Sequence, residues 1–463
     1  MRLPQGRKPD VVVIGSGVSG LTTSVNLASY GFSVLLVEQK QYCGGRTYSF
    51  IDRETGDEVD NGQHLMMGCY HATLKYLSTI NAFSKVAIQQ KLSVTFRHAE
   101  RGAFRLQSAP LPAPLNILVG LLRLKSLTFF QRLSLLRVGA ALLFANPGTD
   151  KRLNSMTVAE WLDGLHQPTA NKEYLWNIIA IGTLNDSPSV VSAALFVRVL
   201  QSAFMGEKMD SSMVIPKEGL STVLIAGAVE YLRSHDCEVR VGNSVDRLEV
   251  KDGSVESVQL SSGEEVFPRA VVSAVPYFDL PKIFGDAAFS ALPELSVSDR
   301  FVSSPIVTIH LWFDKSFMEE DFVALLDSPI HWVFNKSRIF KKKNGGGDYL
   351  SLVISGASDF IDRNKDEIAL LAVSELRRFY QASKDAVLLH SLVMKEKRAT
   401  FSPRAGMEAI RPTNKSSLKN LFLAGDWTDT KLPATIEGAA QSGYTCSELV
   451  KEYLTSRSEK YMR

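Results

Sequence analysis

Two glycine-rich turns, a histidine-bearing loop and a late Gly-Asp pair hold the residues of this chain whose types and spacing can do chemistry. The first turn is Gly15, Gly17 and Gly20 in "DVVVIGSGVSGLTTSVNLAS". Gly15 permits a tight exit from an apolar strand, Gly17 lets backbone approach a pyrophosphate, and Gly20 lets the following helix pack on the strand. The helix start offers free N–H groups and a positive dipole end to that phosphate. A second apolar run, Ser33 to Val37, ends at Glu38. A carboxylate there can accept from ribose hydroxyls. Glycines in this spacing also occur in ordinary turns. The order strand, glycines, helix, strand, acid is what predicts a dinucleotide site.

The second turn, "YCGGRTYSF", places Gly44 and Gly45 before Arg46. A guanidinium there can neutralise a pyrophosphate bidentately; the plainer alternative is a solvated arginine on a surface turn. Near the C-terminus, "NLFLAGDWTDTKLPATIEGAAQSGY" reads as a short strand, then Gly425-Asp426, then a helix from about Thr435 and Ile436 onward. Gly438, Ala439 and Ala440 keep its first turns slim enough to approach a flat ring. Asp426 can accept from a ribityl hydroxyl or from nearby amides.

The loop "DNGQHLMMGCYH" holds Asp60, His64, Cys69 and His71. These types suit a metal site, a redox site or a polar corner of a core. On a helix His64 and His71 share a face, but Gly68 and Cys69 do not complete a tetrahedral set, so no metal is expected.

These motifs need elements to hold them. At 463 residues the chain exceeds one ordinary core, and two domains are expected. Hydrophobic content of 45% and charge of 22% describe a globular protein. A net charge of +3 gives no case for nucleic acid. Cys43, Cys69, Cys237 and Cys446 form no C-x-x-C pair, which predicts free thiols and a reducing compartment. The N-terminus "MRLPQGRKP" shows no apolar signal segment. Residues 101–149 lack acidic residues yet carry Arg101, Arg105, Arg123, Lys125, Arg132 and Arg137 among many Leu and Phe. Such a segment suits an anionic membrane surface, or equally a buried helical hairpin with solvated arginines.

The pairing of "GGRTYSF" with "LAGDW…LPATIEGAAQSG" resembles the superfamily of FAD-dependent amine oxidases and isoprenoid desaturases. The loop "DNGQHLMMGCYHATL" resembles its hydroxysqualene dehydroxylase branch. The resemblance implies an α/β fold, with a discontinuous Rossmann-like FAD-binding domain at residues 1–105, 211–284 and 416–463. An α+β substrate domain would occupy 106–210 and 285–415. It implies non-covalent FAD held by Gly15, Gly17, Gly20, Glu38, Gly45, Arg46, Val245, Gly425, Asp426, Thr435 and Ile436, with the Val245 backbone reading the adenine. It implies reductive loss of an allylic hydroxyl from an isoprenoid lipid, with His64 as acid and Asp60 orienting it. It further implies a cytoplasmic protein, peripheral on the inner face of the cell membrane. The alternatives are a carotenoid-type desaturase, an amine oxidase, or a flavin-free prenyl-binding protein, the last disfavoured by Glu38, Arg46 and Asp426. The residues do not specify an electron donor.

Overall fold

A computed structural model describes residues 8–284, 292–341 and 346–461; the N-terminal residues 1–7 and residues 285–291 of the expected second domain lie outside it. The apolar runs form the centre of a five-stranded parallel sheet. Its order is Glu238–Val241, Val34–Glu38, Val11–Ile14, Ala270–Ser273, Leu421–Leu423. The three central strands are buried along their whole length, as a sheet covered on both faces requires. The helix Val18–Ser29 makes the crossover between its first two strands in sequence, and it packs against the long C-terminal helix Ile436–Tyr461. That contact is close. A Cβ on Gly443 would lie 2.7 Å from the Ser19 carbonyl oxygen, and Asn26 donates to Ser447 across it at 2.8 Å. The two ends of the chain therefore build one nucleotide-type unit.

A seven-stranded mixed sheet forms the second layer. Its order is Leu388–Phe401, Ser303–Phe313, Tyr349–Ser355, Trp332–Asn335, Phe322–Leu326, Ser93–His98, Gly102–Gln107. The expected boundary at residue 105 falls inside the last of these strands. The hairpin of Ser93–His98 with Gly102–Gln107 joins this sheet because Ser93–His98 pairs in parallel with Phe322–Leu326. Its apolar residues Val94, Phe96 and Leu106 belong to the same core as Phe322 and Ala324.

Residues 115–144 form two helices, Leu115–Leu122 and Phe129–Phe144. Thr128 and Gln131 cap the second with a reciprocal pair of bonds. It buries Leu135, Val138 and Leu142, and leaves Phe129 61%, Phe130 81%, Leu143 63% and Phe144 87% exposed. Arg123, Lys125 and Arg137 are exposed on the same segment. Among the described residues no helix is long and apolar enough to cross a membrane. All four cysteines are free.

Candidate functional site

One cavity of about 910 Å³ connects the two sheets. Its first end is the glycine cradle. A Cβ on Gly15 would stand 2.9 Å from the Ala274 carbonyl oxygen, and one on Gly20 only 2.0 Å from that of Gly15. At Gly17 the same atom would meet nothing within 4 Å. Two glycines thus permit close backbone packing, and the third leaves open space at the start of helix Val18–Ser29, whose first turn has no side-chain cap. The uncapped N–H groups fit a pyrophosphate. Gly45, at φ +60°, nests against Gly17, its would-be Cβ 3.2 Å from the Gly17 Cα.

Glu38 lines this end of the cavity together with Val245. Its carboxylate accepts from the Ser16 amide (2.9 Å) and hydroxyl (2.7 Å) and from the Lys40 amide (2.9 Å). Carboxylate oxygens have about four acceptor positions, so capacity for a ribose hydroxyl remains. Arg46 and Asp426 come together as a salt bridge of 2.8 Å, and Arg46 also donates to the Ala399 carbonyl. This half-exposed guanidinium and its buried carboxylate stand where the two chain ends meet. Gly425 packs under the Trp427 indole, 2.4 Å from its would-be Cβ. Thr435 caps the final helix by accepting from the Gly438 amide at 3.1 Å, and Ile436 faces the cavity. Of the residues expected to hold the dinucleotide, all but Gly20 line this cavity; Gly20 acts behind it, by letting the helix pack on Gly15. The donor set fits such a group.

The histidine loop passes the same cavity. Helix His71–Thr79 begins only at His71, so His64 and His71 share no helical face. His71 pairs with Asp210 at 3.0 Å. His64 Nδ1 lies 2.8 Å from the Gly62 carbonyl oxygen. A carbonyl only accepts, so Nδ1 carries the proton and Nε2 is left as an acceptor. Burial lowers the His64 pKa, against the smaller opposing effect of the Gly62 bond. The imidazole is neutral at neutral pH and faces the cavity with a free lone pair.

Asp60 stands elsewhere. It neither lines the cavity nor bonds to His64, whose ring is oriented by Gly62. Its carboxylate accepts from Lys336 Nζ at 2.8 Å, from Ser49 Oγ at 2.7 Å and from the Leu220 amide at 2.8 Å. Burial works to raise its pKa, but the Lys336 charge and these bonds outweigh that and hold it below the usual carboxylate value. Lys336 is equally buried and also donates to Gln63 Oε1 at 2.7 Å. Asp60 therefore reaches the cavity through Lys336 and Gln63, which lines it.

Three further residues carry no motif in the sequence. Glu396 and Arg398 face the cavity from strand Leu388–Phe401, and Asn61 approaches Glu396 at 3.4 Å. Arg411 is buried beneath the loop 426–432 and donates to the carbonyls of Asp426, Thr428 and Leu432. Burial pulls its pKa down to about 10, against neighbouring carboxylates. Alternation along the strand could have marked Glu396; nothing local marks Arg411.

Away from the cradle the lining turns apolar, with Leu92, Val94, Phe96, Leu106, Trp332 and Phe334 among its residues. A polar, phosphate-suited end thus opens into an apolar channel.

Comparison with known proteins agrees with this geometry. Residues 18–451 match the family model described as flavin containing amine oxidoreductase. A Rhodopseudomonas palustris protein named hydroxysqualene dehydroxylase is 29% identical, over 95% of this chain and 98% of its own. A Glycine max protein named 15-cis-phytoene desaturase is 27% identical, over 99% and 83%. Among solved structures, an oxidoreductase from Methanosarcina mazei superposes with a TM-score of 0.74 at 16% identity, covering 95% of this chain and 99% of that one. Cyclohexylamine oxidase from Brevibacterium oxydans gives 0.71 at 16%, covering 97% and 100%. These structural likenesses establish the fold, an α/β fold with a parallel sheet and a separate mixed sheet. With the match spanning nearly the whole chain, the protein belongs to the flavin-containing amine oxidoreductase family and is a flavin-dependent oxidoreductase.

Proposed function

We propose that the protein holds FAD non-covalently and acts on a long isoprenoid lipid, removing the hydroxyl of hydroxysqualene to give squalene. The observation that carries this reading is the single cavity, phosphate-suited at one end and apolar along the rest. The near end-to-end match to the Rhodopseudomonas palustris protein supports the particular reaction. Among the described residues no cysteine lines the cavity, so no thiol stands where it could attach the flavin.

In this reading Gly15, Gly17 and Arg46 hold the pyrophosphate, Glu38 the ribose and the Val245 backbone the adenine. Gly425, Asp426, Thr435 and Ile436 frame the ring. Bound FAD supplies hydride in its reduced form or accepts it when oxidised. The balance for dehydroxylation is one proton and one hydride in, water and the hydrocarbon out. The proton is delivered to the leaving oxygen from His64 Nε2, which must first be charged. The apolar walls keep bulk water from the allylic cation. Asp60 and Lys336 position the loop rather than touch substrate.

A specific observation favours a second reading. His64 rests neutral with Nε2 accepting, which suits proton removal from a hydrocarbon. That is the sense of a desaturase, in which hydride leaves the substrate. The pH–rate profile separates the two. An acid role gives activity that falls as pH rises through the His64 pKa, and a base role gives activity that falls as pH drops through it. Lipid products from hydroxysqualene and from phytoene test the substrate directly.

Substrates of this kind dissolve poorly in water. We place the protein at the inner surface of the cell membrane, with the exposed Phe and Leu of helix Phe129–Phe144 in the interface. Arg123, Lys125 and Arg137 would meet anionic head groups.

A further inference from the structure

The apolar arm of the cavity follows one register row of the seven-stranded sheet. Val353 pairs with Trp332, Trp332 with Ala324, and Ala324 with Phe96. Paired positions on neighbouring strands point to the same face. Of this row, Val353, Trp332 and Phe96 line the cavity. Continued in register, the row reaches Met394 on one edge strand, through Thr308, and Phe104 on the other. The cavity-lining Glu396, beside the cradle, and Leu106, at the far edge, each lie two residues from these ends on the same face. At an inter-strand spacing of about 4.8 Å, the seven strands span roughly 29 Å. An extended carbon chain advancing about 1.2 Å per bond would need roughly two dozen carbons to cover it.

Trp332 sits midway along that path. Its neighbour in the row, Ala324, is small and fully buried. The indole leans on Phe322 and Phe334, with ring centroids 6.3 and 6.5 Å away. Opposite it, helix Asn177–Leu184 supplies Ile178, Ile179, Gly182 and Thr183 to the cavity wall. A Cβ on Gly182 would lie 3.1 Å from Trp332 Nε1 and 3.7 Å from Cε2. Gly182 is an ordinary helical position with no positive φ, so the backbone does not demand glycine there. Mid-helix glycine costs about 1 kcal/mol against alanine. What its missing side chain provides is room for the indole edge.

We infer that the contact between Gly182 and Trp332 sets the bore of the channel, and so decides how long an isoprenoid chain the protein accepts. With glycine, the indole lies back against the helix and the channel stays open to the far strands. A side chain at 182 drives the ring into the lumen and confines the ligand to the half beside the cradle. This rests on the isoprenoid reading above.

The test uses holoprotein, with the flavin spectrum as a check on folding, and two labelled probes, squalene and the half-length farnesol. The parent is expected to retain both on gel filtration. Gly182→Leu should keep farnesol and bind squalene about tenfold or more weakly, as crowding by single methylenes does in apolar pockets. Gly182→Ala should move in the same direction by less. Trp332→Ala added to Gly182→Leu should restore squalene. Squalene binding unchanged in both Gly182 variants overturns the inference. So does equal loss of both probes with the flavin spectrum intact, because the effect is then not one of length. A parent that binds neither probe overturns the isoprenoid reading itself.

Discussion

The two ends of the cavity are built on opposite principles. The cradle is backbone against backbone: Gly15, Gly20 and Gly45 bring main chains together, and recognition falls to uncapped N–H groups. The apolar arm is side chain against side chain, with Val94, Phe96 and Trp332 supplied by strands far apart in sequence. A backbone site tolerates almost no added atom. A side-chain site tolerates exchange, and each exchange alters what fits. One end should therefore be fixed in chemistry and the other adjustable in substrate.

The sharpest way to break this contrast is at the cradle. Gly20→Val places atoms 2.0 Å from the Gly15 carbonyl, where no flexible group can yield. Purified variant should carry no flavin, read as the ratio of flavin to protein absorbance. Flavin retained at the parental ratio would remove the cradle from the account.

Next in size is the buried pair beneath the histidine loop. Lys336→Met leaves Asp60 charged and unpaired in the interior and should cost about 3–5 kcal/mol, measured by denaturant unfolding. Adding Asp60→Asn should recover much of that loss. The pair also has a pH signature. Because the folded Asp60 pKa is depressed, its ionisation contributes stability above the unfolded value of about 3.9 and loses it as pH falls through the folded value. The acid limb of the stability profile should flatten in Lys336→Met.

His64→Ala should keep flavin and lose roughly 10²–10⁴ in rate. A variant turning over at the parental rate assigns His64 to structure alone. The smallest effect belongs to the surface. Reversing Arg123, Lys125, Arg132 and Arg137 to glutamate should weaken sedimentation with anionic liposomes by about 1 kcal/mol for each basic side chain that meets a head group, without changing the flavin spectrum. Arg132 should contribute least, since it already donates to the Leu122 carbonyl.

The same contrast governs what the sequence revealed. The cradle was legible because backbone packing imposes residue types at fixed local spacing, and Glu38, Arg46 and Asp426 lie within or beside such runs. The partner of Asp60 was not legible. Lys336 sits in "FNKS", a stretch with no chemical signature, and the fold alone brings it to Asp60. Residues 93–105 fall by chain order in the first domain, yet they form most of a strand hairpin whose pairing partner lies beyond residue 320. Gly182 reads as a mild flaw in a helix until Trp332 is seen opposite. Long-range contacts, which leave no periodicity, account for each of these.

The central claim is that this flavoprotein exchanges hydride with an isoprenoid lipid held in the apolar arm. An anaerobic single-turnover measurement tests it most directly. Photoreduced holoprotein is mixed with hydroxysqualene, oxidised holoprotein is mixed with phytoene, and flavin absorbance is followed while lipids are extracted. The expected result is flavin reoxidation by hydroxysqualene with stoichiometric squalene, and no reduction by phytoene. Reduction by phytoene with desaturated product would keep the lipid and reverse the chemistry. A flavin spectrum unmoved by either lipid, with both recovered unchanged, would contradict the claim.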